Sequence, residues 1–166
     1  SWSPELFTKG HRNPQGMAIN PTTNEIWVNE HGPKGGDEIN IIKLGRNYGW
    51  PIVTFGEEYW GGKVGQGITT LKGFEDPIWY WVPSIAPSGM TFYDKNMFPE
   101  FKGNLLVASL KFKSIYLVEL KNGLPTKDKV LFKNRFGRIR DIEQLKDGSI
   151  LVISDEKEGG IFKIYR

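Results

Sequence analysis

Apolar positions in this chain fall in short runs and do not recur at helical spacing. Eleven runs stand out, at residues 25–28, 38–44, 52–55, 78–82, 90–93, 104–110, 114–120, 129–133, 139–145, 149–154 and 161–165. They are rich in Ile, Val, Tyr, Phe and Trp and bounded by Gly, Asn, Asp or Pro, which end strands and open turns. The pattern predicts an all-β chain.

Three stretches repeat one order of events. GMAINPTTNEIWVNEHGPKGGDEINIIKL begins at Gly16, GMTFYDKNMFPEFKGNLLVASLKFKSIYLVEL at Gly89, and DIEQLKDGSILVISDEKEGGIFKIYR at Asp141. Each runs through an apolar strand, a Gly- or Asn-containing turn, a second strand, a polar loop and a third strand. Such units are blades of a β-propeller, whose repeat is typically about 40–50 residues. Residues 46–83, rich in Gly and aromatics, fill the extra spacing between the first two copies. The expectation is a single partial propeller with blades at roughly 9–83, 84–133 and 134–166. A propeller usually closes with about 4–8 four-stranded blades, so about three blades predict a larger protein or associating copies. A two-sheet sandwich is the alternative, and it explains the repeat less well.

The repeat also places side chains. In an antiparallel blade, the start of the first strand and the loop from second to third strand lie at the same end. Those places hold Arg12, Asn13, Gln15 and residues 31–34 in the first copy, residues 83–88 and Lys111 in the second, and Arg138, Arg140 and residues 155–160 in the third. Innermost strands line the propeller axis, so these residues are expected to converge at one mouth. Arg12, Lys111, Arg138 and Arg140 would make it cationic, suited to a ligand with carboxylates or phosphates.

Composition narrows the choice. The 166 residues carry 22 Lys plus Arg against 19 Asp plus Glu, a net charge of +3, too mild and mixed for a nucleic-acid surface. The absence of cysteine excludes disulfides, thiolate metal sites and a cysteine nucleophile. No window approaches the ~18 apolar residues of a membrane helix, and no basic-then-apolar leader is present. The chain therefore reads as soluble and globular, or as a mature piece of such a protein. No P-loop, dinucleotide fingerprint, nucleophile elbow or H-E-x-x-H zinc motif occurs.

The runs HRNPQGMAINP, NEHGPKGGDEINIIKLGRNYGWP, PSIAPSGMTFY, LLVASLK and RIRDI resemble, in that order, the soluble pyrroloquinoline-quinone (PQQ)-dependent sugar dehydrogenases. The likeness is to their aldose sugar dehydrogenase branch and runs from Lys9 to Arg166. It implies the C-terminal half of a six-bladed propeller that holds calcium and PQQ on its axis. Such enzymes oxidise the anomeric carbon of aldoses to a lactone by hydride transfer to PQQ, then pass electrons to an external acceptor. The resemblance implies that Arg12 polarises the quinone and that Asn13, Tyr59, Ser84, Lys111, Arg138 and Arg140 join it in binding the cofactor. Gly32 and Pro33 match positions whose carbonyls hold the cofactor's calcium, while Glu38 and the Tyr48 carbonyl match ligands of a structural calcium. It further implies a periplasmic or secreted protein, although the leader that would send it there is not in this chain. The partner expected is the missing N-terminal half or a second copy.

The family's general base is a histidine in the first half of the propeller. His11 and His31 are the only histidines here, and neither occupies that motif. Loss of a positioned base costs typically ~10²–10⁴-fold, so the chain alone is expected to be inactive. Local sequence offers plainer roles too. Arg12 and Asn13 could cap a turn, Arg138 and Arg140 could form a solvated strand face, and Lys111 could be an ordinary surface lysine. Glu38 could pair with Lys34 or Lys43, Asp37 reads as a loop hydrogen-bonder, His11 as structural, and residues 79–81 as core. A non-catalytic propeller binding module and a calcium-dependent lactonase are the competing functions.

Overall fold

The computed structural model describes residues 3–166, and their fold is all-β apart from one short 3-10 turn at Pro99–Phe101. Eleven strands form three antiparallel sheets. The first contains β1 (Pro14–Ile19), β2 (Ile26–Glu30), β3 (Asp37–Ile42) and β4 (Trp79–Trp81). The second contains β5 (Pro87–Tyr93), β6 (Asn104–Ser109), β7 (Ser114–Lys121) and β8 (Leu124–Leu131). The third contains β9 (Ile139–Gln144), β10 (Ile150–Ser154) and β11 (Ile161–Ile164). Within every sheet the strands pair in chain order, so each is an up-and-down meander, the topology of a propeller blade.

The middle sheet shows why its strands read as unbroken apolar runs. Along β6 and β7, Leu105, Val107, Tyr116 and Val118 face the first sheet, meeting Trp27, Ile39 and Trp81. Their alternate neighbours Leu106, Ala108, Ile115 and Leu117 face the third sheet, meeting Ile139, Ile142, Ile150 and Val152. Side chains alternate across a strand, so a strand buried on both faces must be apolar at every position. In the first sheet, the face of β1 turned away from the second sheet leaves Met17 and Ile19 exposed.

Glycine sets how closely the innermost strands approach. A Cβ at Gly16 would lie 2.2 Å from the Ser88 carbonyl oxygen of β5. A Cβ at Gly89 would lie 1.8 Å from Asp141 Oδ1 and 2.7 Å from the Asp141 Cα of β9. The glycine opening each of the first two repeats thus packs on the inner strand of the next sheet. Each inner strand also breaks register near the same end, at Pro14/Gly16 in β1, at Pro87/Met90 in β5, and opposite β9 at Ile153/Ser154. Such bulges re-aim the chain next to binding sites.

Three strand expectations differ from the structure. Residues 52–55 form no strand: Val53 makes only an isolated bridge to Ile68, inside a glycine-rich excursion between β3 and β4. β1 was absent from the eleven runs because Pro, Gln and Gly break its apolar alternation. β8 begins five residues before the expected 129, since its first half is an edge of Pro, Thr, Lys and Asp with no buried apolar position.

Candidate functional site

The loops β2–β3, β4–β5, β6–β7, β8–β9 and β10–β11 all emerge at one end of the meanders, the end that carries the bulges. There a cleft of about 250 Å³ is lined by Arg12, Asn13, His31, Gly32, Pro33, Asp37, Tyr59, Ser84 and Ala86. Six sequence-predicted site residues, Arg12, Asn13, Gly32, Pro33, Tyr59 and Ser84, are therefore brought together.

Each is held by a specific contact. The Arg12 guanidinium donates to the His31 carbonyl at 3.2 Å and to the Tyr59 hydroxyl at 3.2 Å, and lies 5.3 Å from the Trp50 ring centroid. Tyr59 itself is exposed, on an excursion tied back by the paired backbone of Lys34 and Glu57. The Ser84 hydroxyl accepts from the Gly35 N–H at 2.9 Å, which docks the β2–β3 loop against the chain entering β5. Asp37 fastens the same two loops: Oδ1 accepts from Gly32 N–H at 2.9 Å and Oδ2 from Ala86 N–H at 2.8 Å. Its sequence reading as a loop hydrogen-bonder is met.

Beside the cleft, Gly10, Arg12, Glu30, His31, Gly32, Gly36, Glu38 and Tyr48 help enclose a void of about 10 Å³, the scale of a single water or ion. Its electrostatics are unbalanced. Glu30 and Glu38 stand directly opposite each other in the β2–β3 ladder, an arrangement that destabilises a sheet. Burial, then the nearby Glu30 charge, pushes the Glu38 carboxyl up to about 8. The buried Asn40 Oδ1 has no hydrogen-bond partner, although its Nδ2 donates to Glu30 at 3.2 Å. Two facing carboxyl groups beside an oxygen-lined void have the donor chemistry that a hard cation takes. Among the described residues no group of three or more His, Cys, Asp or Glu side chains is placed to hold a metal, so such a cation would need amide or backbone oxygens too. Glu38 pairs with neither Lys34 nor Lys43 among the described residues; Lys43 bonds Glu75 at 3.1 Å.

Lys111, Arg138 and Arg140 do not line the cleft. The Lys111 N–H donates to the Ile85 carbonyl, next to Ser84, while its ammonium lies 5.2 Å from the Phe112 ring centroid. Arg138 and Arg140 both bind Asp155 Oδ2, at 3.2 and 2.8 Å, and the Arg138 hydrogen bond chiefly holds the Asp155 carboxyl below its ordinary range. One carboxylate thus offsets part of the positive charge expected at the mouth.

Both histidines are engaged. His11 Nδ1 lies 2.8 Å from Glu30 Oε1, its Nε2 lies 3.0 Å from the Thr8 hydroxyl, and its ring stacks on Tyr48 at 4.6 Å. His31 Nε2 lies 2.6 Å from the Pro87 carbonyl oxygen and so donates to it. Glu30 is the residue that sequence reasoning missed. Its partners are backbone amides 17 and 18 residues away, and nothing local marks a carboxylate for that role.

Three meanders with closely approaching inner strands and a polar cleft at one end define a segment of a β-propeller. The glucose/sorbosone dehydrogenase family profile matches residues 1–164, and the chain belongs to that family. It is 42% identical over 161 residues to the aldose sugar dehydrogenase YliI of Escherichia coli (strain K12), covering 96% of this chain and 43% of that protein. The crystal structure of the soluble aldose sugar dehydrogenase from Escherichia coli, in the apo form, superposes with a TM-score of 0.91 at 42% identity, over 98% of this chain and 47% of that one. Quinoprotein glucose dehydrogenase B of Acinetobacter calcoaceticus is 29% identical over 212 residues, covering 95% and 44%. The chain thus spans a little under half the length of these relatives.

Proposed function

We propose that this chain is the cofactor-binding part of a calcium- and PQQ-dependent aldose dehydrogenase. The observation that carries the reading is the cleft itself: Arg12, Asn13, Tyr59 and Ser84 meet the Gly32–Pro33 turn in one polar space, within a family named for sugar oxidation. PQQ is an anionic quinone, so it needs cationic and neutral donors at its oxygens, and this lining supplies both. When bound, it would accept the hydride from the anomeric carbon. Arg12 would hold negative charge developing on the quinone edge, with Asn13 as a second donor. The Gly32 and Pro33 carbonyls would hold calcium beside it, and Glu38 with the Tyr48 carbonyl would hold a structural calcium in the adjoining void. Lys111, Arg138 and Arg140 would reach the cofactor's carboxylates from neighbouring blades, the two arginines by turning from Asp155.

The proton acceptor in this reading lies outside the chain. Both histidines are tied to protein partners, and the exposed face of β1 offers Met17 and Ile19 for burial against another blade. The remaining half of the propeller is the proposed occupant, and the whole protein is the proposed enzyme, periplasmic or secreted, with a separate electron acceptor. Equilibrium titration of the whole protein with PQQ tests the reading. Binding that requires calcium and weakens at least 10-fold in Arg12→Ala is expected; binding indifferent to both would refute it.

A further inference from the structure

The ladder between β1 and β2 ends awkwardly. Pro14 opposes Glu30 and has no N–H to give, and the register then jumps to Gly16 opposite Asn29. Arg12 and Asn13 lie beyond this break, so their amides need acceptors that no strand supplies. The Glu30 side chain provides them. Its Oε2 accepts from the Arg12 N–H at 2.7 Å and from the Asn13 N–H at 3.3 Å. Its Oε1 accepts from Asn40 Nδ2 at 3.2 Å and lies 2.8 Å from His11 Nδ1. One carboxylate therefore grips three consecutive residues, and the Asn13 carbonyl closes the frame by accepting from the His31 N–H at 3.0 Å.

The placement is costly. Glu30 is only 4% exposed, and it faces Glu38 across the ladder. A buried carboxylate is tolerated where its charge-assisted hydrogen bonds do something a neutral residue does less well. Here only a carboxylate offers both oxygens as acceptors, one to the Arg12–Asn13 backbone and one to the Asn40 and His11 side chains. The Arg12 guanidinium has its own partners at His31 and Tyr59. The position of its backbone is set by Glu30.

We infer that Glu30 is a positioning residue, which holds Arg12 and Asn13 at the height in the cleft where an anionic quinone ligand meets both. This rests on the reading of Arg12 and Asn13 as ligand contacts. Misplacing such groups by about 1 Å costs on the order of 10²-fold in rate.

The test uses the whole protein with calcium and compares Glu30→Ala, Glu30→Gln and Arg12→Ala by PQQ Kd, by kcat and by KM for an aldose. Glu30→Ala is expected to weaken PQQ binding at least 10-fold and lower kcat by about 10²-fold, with KM for the sugar changed less than 3-fold. A residue that served stability alone would leave these values intact in the folded fraction. Glu30→Gln is expected to recover only part of the loss, because its amide nitrogen faces the Asn40 Nδ2 donor. It keeps one acceptor for the backbone, and His11 can meet the new amide donor by exchanging tautomer, because the Thr8 hydroxyl can donate or accept. If Glu30→Ala does not fold, Glu30→Asp keeps the charge and withdraws the acceptor by one methylene; a fall in kcat without a change in KM is then expected. Wild-type PQQ affinity and kcat in Glu30→Ala, or in Glu30→Asp as its substitute, overturn the inference while an impaired Arg12→Ala leaves the cofactor reading standing. If Arg12→Ala is also silent, the cofactor reading falls and this inference with it.

Discussion

Asp37 is the sharpest point at which to perturb the mouth. It is 1% exposed, and each of its oxygens accepts one backbone N–H, from Gly32 at 2.9 Å and from Ala86 at 2.8 Å. Hydrogen bonds to a charged group contribute about 1.5–3 kcal/mol each. Asp37→Ala removes both and strands the buried Gly32 amide, whereas Ala86 is partly wetted and can recruit water. The expected loss is therefore about 3 kcal/mol, the lower end of the two-bond sum. Asp37→Asn keeps the shape and one acceptor but turns an amide group toward an N–H donor, for an expected loss of about half that. Urea unfolding of the whole protein, followed by tryptophan fluorescence, reads both values from midpoint and slope. The same variants should weaken PQQ binding, because the Gly32–Pro33 turn and the chain entering β5 at Ala86 lose their common anchor. A loss below about 1 kcal/mol in Asp37→Ala, or Asn behaving as wild type, would refute the reasoning.

Other expectations concern packing, charge and metal. Gly89→Ala drives a Cβ into the Asp141 backbone and should cost at least about 1–3 kcal/mol in urea unfolding; wild-type stability would deny the close contact of β5 with β9. Asp155→Asn should leave the melting temperature unchanged, since the carboxylate and its two arginines are all partly exposed. It should speed PQQ association at low salt, an effect that stopped-flow fluorescence would see fade as salt is added; a slower rate would mean Asp155 organises the arginines instead. With calcium in the void as proposed, chelation should lower the melting temperature of the whole protein, because the facing Glu30 and Glu38 carboxyls lose a shared cation, and Glu38→Gln should shrink that response. An identical chelator effect in Glu38→Gln would place the cation elsewhere.

Fold class was legible because burial wrote itself into composition. The middle sheet is covered on both faces, so β6 and β7 are apolar at nearly every position, and the blade repeat followed from their spacing. The excursion at 52–55 misled because Ile52, Val53 and Phe55 are apolar for other reasons: Val53 packs against the bend at Gly49 and Phe55 stacks on Tyr80 at 4.0 Å. Site residues on the β2–β3 loop were legible as a motif, and Asp37 as a loop ligand of amides. Glu30 and Asp155 were not, since each acts on groups 15–18 residues away that only the folded sheets bring near. A carboxylate that accepts from distant backbone looks, in sequence, like any surface carboxylate.

Dye reduction by the whole protein shows whether this cleft holds PQQ for aldose oxidation. Aldose-dependent reduction that appears only when PQQ and calcium are both supplied, and is lost in Arg12→Ala, is expected. Reduction that persists at full rate after PQQ is removed would contradict it.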